Sequence, residues 1–176
     1  MRRRTRYLLY GIAAAAAVAL GLGLLAGRGV SAGELERDAR ERQKIDAAWS
    51  VSESVDSGVA ALLFYDESRG GHTCAVYLRE ESALDPGYHF HMGGAREGIS
   101  EGGIELLEFG GNGSAILSLN AQRVARVELT SSEGVVTVIE VDPDQPFAVA
   151  LPAVGGSIAM YDALGEAVAF SCIIVG

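Results

Sequence analysis

Histidine is the side chain best suited to metal ligation and proton transfer near neutral pH, and two of the three in this chain lie in one short segment, Tyr88-His89-Phe90-His91-Met92. In an extended strand successive side chains alternate between faces. That puts His89 and His91 on one side and Tyr88, Phe90 and Met92 on the other. Two imidazoles on one face begin a divalent metal site, which needs a third or fourth ligand. His72 is the remaining histidine and the first candidate, with Asp85, Glu97 and Glu101 as nearby carboxylates. A metal held by His89, His91 and His72 would act as a Lewis acid or activate water.

The cupin family also carries His-x-His on a strand, and the resemblance here covers His89 and His91. The glutamate that should follow closely is displaced to Glu97, and no histidine follows His91. Gly98-Ile99-Ser100-Glu101-Gly102 matches G-x-S-x-G, but a nucleophile elbow requires a downstream histidine, which this chain lacks. Leu151-Pro152-Ala153-Val154-Gly155 approaches a wall-sorting signal with Val154 in place of the threonine, and reads as a strand end and turn. Asp142-Pro143-Asp144-Gln145-Pro146 lacks the length of a calcium loop and reads as a proline-stiffened turn.

Alternation places Cys74 with Val76 and Leu78, and Cys172 with Val168, Phe170 and Ile174, so both thiols are expected to point inward. A Cys74–Cys172 disulfide and two separately buried thiols both satisfy that placement.

The charge is split along the chain. Residues 1–32 hold five arginines and no acid, whereas residues 33–176 hold nine basic and 23 acidic groups, a formal charge of −14. A domain so acidic repels phosphates, which excludes nucleic acid as a partner. Residues 7–27 run without a charge, long enough as a helix to cross a hydrocarbon core of about 30 Å. Arg2, Arg3, Arg4 and Arg6 precede this run, so residues 1–6 are expected to be a cytoplasmic tail and the chain beyond Arg28 extracytoplasmic. Gly23 and Gly27 form a GxxxG pair within the run. Val30-Ser31-Ala32 has the small-residue spacing of a signal peptidase site, the alternative being secretion after cleavage following Ala32. The length of the apolar run favours retention as an anchor.

Residues 33–49 are rich in helix formers, with Glu36/Arg40 and Asp38/Arg42 spaced i,i+4. Their apolar positions, Leu35, Ala39, Ile45 and Trp49, make only a thin stripe, which predicts a charged helical stalk between membrane and domain. From residue 51 onward the pattern becomes short apolar runs of period two separated by Gly, Asp, Asn or Pro clusters. Strands are expected at 58–65, 73–79, 88–92, 104–109, 114–119, 124–130, 135–141, 147–151, 157–161 and 167–175. Residues 51–176 are thus expected to form an all-β domain, an antiparallel β-sandwich of immunoglobulin-like or jelly-roll-like type.

The segments at residues 60–66, 72–78, 146–152 and 161–165 resemble single-pass, membrane-anchored extracytoplasmic proteins of Gram-positive bacteria. The resemblance implies the same topology and carries no activity or site residue. Without an intact catalytic motif, the expected role is a non-enzymatic binding or envelope-associated module that contacts a protein or cell-wall partner through strand edges or loops. The alternative is a metal-dependent protein built on His89 and His91.

Overall fold

The computed structural model describes residues 29–79, 87–153 and 155–175. The apolar run at 7–27 and its basic tail lie outside the described residues, among which no helix is long and apolar enough to cross a membrane. The described chain is mostly strand. A helical turn at Ala32–Glu34 leads into helix α1 (Leu35–Gln43), then β1 (Ser50–Val55), β2 (Val59–Tyr65), β3 (His72–Arg79) and β4 (Tyr88–Gly94). A one-turn helix α2 (Glu97–Ser100) precedes β5 (Ile104–Glu108), β6 (Ser114–Ser118), β7 (Val124–Ser131), β8 (Val136–Glu140), β9 (Phe147–Leu151), β10 (Gly156–Asp162) and β11 (Ser171–Ile174).

These strands build three sheets, ordered β1-β2-β3-β4, β11-β5-β6-β9 and β10-β7-β8. The β11–β5 pairing is parallel and the rest are antiparallel. The chain is therefore all-β, but it stacks three sheets where a sandwich of two was expected. Alternation explains why. In β9, Ala148 and Ala150 pack with Ala61, Leu63 and Val76 of the first sheet, whereas Phe147, Val149 and Leu151 pack with Val127, Leu129 and Met160 of the third. The near-continuous apolar runs of β5, β6 and β9 are buried on both faces, as in any middle layer.

The first sheet is also covered twice. Val59, Ala61 and Leu63 of β2 face the middle sheet, while Ala60, Leu62 and Phe64 face α1 through Leu35 and Ala39, both fully buried. The helix expected to stand free as a stalk instead lies on the domain. Val30, Ile45 and Trp49 pack beside Leu35 and Ala39, and charged side chains extend the contact. Arg40 stacks over Phe64 at 4.9 Å and Arg42 over Phe90 at 5.6 Å, covering ring faces with guanidinium planes. Asp38 accepts hydrogen bonds from Tyr77 Oη (2.7 Å) and Arg42 Nε (2.6 Å). Burial, with the Asp38 carboxylate next in weight, pushes the Tyr77 phenol well above its ordinary range. Gln43 closes the far end, donating to Cys74 O and accepting from Thr73 Oγ1.

Two further differences have local causes. Strand β1 was not expected, since four of the six residues of Ser-Val-Ser-Glu-Ser-Val are polar. Strand β11 is shorter than the predicted 167–175, because Ala167 bridges to Tyr161 and the segment crosses to the middle sheet only at Ser171.

If α1 is part of the folded unit, Leu35→Ala will lower the free energy of unfolding by about 2–4 kcal/mol. The exposed Glu41→Ala will stay within about 0.5 kcal/mol. Urea unfolding followed by tryptophan fluorescence measures both, and a free stalk would leave the two variants alike.

Candidate functional site

The histidines do not gather. His89 lies opposite Leu78 on β4, and a register shift opposite Val76/Tyr77 makes His91 the extra residue of a bulge. The His91 ring meets Phe109 edge-on, with centroids 5.5 Å apart. His72 sits at the other end of β3, six positions from Leu78, a separation of about 20 Å along a strand. There it is buried, and its Nε2 accepts a hydrogen bond from the Arg96 backbone N–H at 3.1 Å. Arg96 in turn donates to the buried Glu105 at 2.6 Å. That pair ties the α2 segment to β5. Among the described residues no three His, Cys, Asp or Glu side chains are grouped to hold a metal.

The cysteines are both free and lie on different sheets. Cys74 is buried, donates to Gly94 O, and has its thiol pushed up to about 11, chiefly by burial. Cys172 is exposed rather than inward. The alternation that placed it inward breaks at the start of β11, where Ile173 and Val175 take the core side. Ser100 of the G-x-S-x-G segment sits at the end of α2 and donates to Arg96 O. Asp142 opens the expected turn, accepting from Asp144 N–H at 2.9 Å. The Leu151–Gly155 segment begins as the end of β9, with residue 154 outside the described ones.

One feature with room for a partner among the described residues is an open strand edge beside a groove. In antiparallel pairs, backbone groups point alternately toward and away from the neighbour. Val141 N–H donates to Ala125 O and Ser131 N–H to Val135 O, so the intervening Thr137 and Ile139 face β7. The N–H and C=O groups of Val136, Val138 and Glu140 then face the open side. Val135, Val136 and Val138 are 61%, 52% and 49% exposed. Between this edge and β1, with β9 as floor, runs a groove of about 340 Å³ whose walls include Glu53, Glu140, Asp142, Ile139 and Gln145. Glu53 has its carboxyl raised, first by burial and then by the neighbouring Glu36.

The edges of β9 and β10 near this groove are closed. Ser52 Oγ accepts from Ala148 N–H (3.0 Å) and Ser54 Oγ from Ala150 N–H (2.9 Å), which satisfies the outward donors of β9. On β10, the 166–168 segment bonds to Asp162 N–H and Met160 O. The edge of β8 keeps its pairing capacity, with valines on its outer face and carboxylates beside it. Sequence reading places a strand there but not an edge, since order within a sheet depends on long-range pairing. The visible signal is the run Val135-Val136-Thr137-Val138, more apolar than a solvated strand needs.

No known family, curated protein or solved structure matches the chain.

The two thiols should separate cleanly by reactivity. Iodoacetamide at pH 8 in native buffer will modify Cys172 and leave Cys74 intact until denaturant is added. Mass spectrometry of the tryptic peptides reads both sites, and a disulfide between them would show neither labelled without reductant.

Proposed function

We propose that the protein is a membrane-held, extracytoplasmic binding module that takes an extended, basic peptide segment along the open edge of β8. The observation that carries the reading is the juxtaposition of unpaired edge groups on Val136, Val138 and Glu140 with a groove walled by Glu53, Glu140 and Asp142. A strand added there gains main-chain hydrogen bonds for affinity, and its side chains alternate between the valine-rich outer face and the groove. Arginine or lysine at every second position would meet Glu53 and Asp142 on the groove side, whereas Glu140 shares the outer face with Val136 and Val138. The intervening residues would lie beside Val136 and Val138.

Charge selects the occupant. A second copy of this chain would bring another domain of formal charge −14 to an acidic surface, whereas a cationic segment is drawn to it. The membrane part of the reading rests on the uncharged run at 7–27 and the four arginines before it, which favour an inside N-terminus and an outside domain.

A fluorescein-labelled octapeptide of alternating arginine and valine tests the binding mode. Its fluorescence anisotropy should titrate to saturation with the protein and weaken as salt rises, because exposed charge pairs are screened. Deuterium exchange of the Val136, Val138 and Glu140 amides should slow on binding. Val138→Lys, an exposed change that sets a charge on the edge, should weaken binding at least tenfold without altering the thermal midpoint. Glu53 becomes an anion only above its raised pKa, so binding should strengthen as pH rises through that range and Glu53→Gln should flatten the rise. An alternating glutamate and valine peptide that binds equally well, or unchanged exchange at β8, would overturn the reading.

A further inference from the structure

The first described residues show how the domain leaves whatever precedes it. Val30 and Tyr88 exchange two backbone hydrogen bonds, Val30 N–H to Tyr88 O and Tyr88 N–H to Val30 O, each 2.8 Å. This bridge pins the chain to the edge of β4. Beside it Gly29 and Gly87 cross backbone to backbone, so closely that a Cβ on Gly29 would lie 2.5 Å from Gly87 Cα and 2.9 Å from His89 Nε2. A Cβ on Gly87 would collide with Gly29 in the same way. Only glycine at both positions permits the crossing. Ser31 Oγ then donates to Glu34, and Ala32 opens the turn that leads into α1.

We infer that this clasp seats the domain directly on the outer membrane leaflet, with no tether between them; the inference rests on the membrane reading of residues 7–27. From Gly27, the last residue of the uncharged run, to Val30 there are three Cα steps, a reach of at most about 11 Å. Each headgroup layer is about 5–8 Å thick. The clasp therefore lies at the headgroups, and the end of the domain that carries it faces the bilayer. Tyr88 Oη donates to Asp56 O and Arg79 N–H to Gly58 O, which places the β1–β2 turn at this end. A cleft lined by Ser57, Gly58, Arg79, Asn112, Pro152 and Ala153 opens there as well. The opposite end holds the β2–β3 turn and the Asp142–Pro146 turn, which are joined by a hydrogen bond from Arg69 to Asp144 O. The carboxylate end of the β8 groove thus points away from the lipid and toward soluble partners.

The same clasp bears on cleavage. The small-residue site Val30-Ser31-Ala32 is built into the fold, with Val30 bridged and Ala32 beginning a helical turn. Removal of residues before Gly33 would take away a strand partner that Gly87 and Tyr88 are shaped to receive.

Labels at the two ends read the seating. In full-length chain carrying Cys172→Ser, a fluorophore is attached at Ser57→Cys or at Ser68→Cys, and the protein is reconstituted into phosphatidylcholine vesicles containing headgroup-nitroxide lipid. Seating predicts at least threefold stronger quenching at position 57 than at 68. A 20-residue Gly/Ser insertion after Arg28, which leaves the clasp whole, should make the two equal. The extracted chain should keep residues before Gly33 by intact mass. Equal quenching without the insertion overturns the seating alone if the protein enters the vesicles, whereas a chain that starts at Gly33 overturns the membrane-held reading with it. A chain that does not float with the vesicles overturns the membrane reading and the seating together.

Discussion

The whole structure hangs on burying both faces of the middle sheet. Strands β5, β6 and β9 carry apolar side chains at consecutive positions, so neither face of their sheet can be left to water. One face is taken by the first sheet through Ala61, Leu63, Cys74 and Val76, the other by the third through Val124, Val127, Leu129 and Met160. Small residues set the spacing on the first side. Ala115, Ala148 and Ala150 let the two sheets come close enough for the β1 hydroxyls to reach the β9 backbone. Larger residues there would push β1 away and leave two amides of β9 without partners, a cost of about 1–3 kcal/mol each.

Buried polar groups among the described residues join segments of the fold. Asn120, with φ near +60°, accepts from Val124 N–H at 2.7 Å and donates to Val124 O and Asp142 O. It fixes the β6–β7 turn against the chain entering β9. Arg96 and Glu105 do the same between α2 and β5, with His72 holding the Arg96 backbone. Removing one partner of such a buried pair strands a charge, at a cost of about 3–5 kcal/mol. His72, the first candidate for a third metal ligand, has its Nε2 engaged in one of these joints.

What was legible in the sequence follows from how local its cause is. All ten expected strands exist, because each carries its own apolar period and turn residues. Strand β1 was hidden, since its serines face a neighbouring strand's amides instead of a core, and nothing local announces that. The two-face burial of Phe147-Ala148-Val149-Ala150-Leu151 was visible as an unbroken apolar run, but the third sheet it demands is a long-range fact. The helix was found and its place missed, because a stripe of Leu35, Ala39, Ile45 and Trp49 looks too thin until Phe64 and Phe90 supply rings for Arg40 and Arg42. For the site, alternation ranked His89 and His91 first. The β4 bulge and the length of β3 decide otherwise, and both arise from pairing rather than composition.

Helix α1 is needed for packing and also fixes the chain's entry. The outer face of the first sheet presents Ala60, Leu62, Phe64, Ala75 and Tyr77, too apolar to stand in water. Some element must cover it, and the segment that does so is the one directly after Val30. Coverage begins at the clasp beside Tyr88, passes Asp38 on Tyr77, and ends where Gln43 bonds Cys74 and Thr73. The first stretch of chain is thus bound along the length of the sheet, and it cannot swing as a linker without baring those side chains. Burying them stabilises by about 25 cal/mol per Å² of apolar surface, which opposes the entropy released by freeing the segment. Packing of the domain and its attachment to what precedes it are one physical fact.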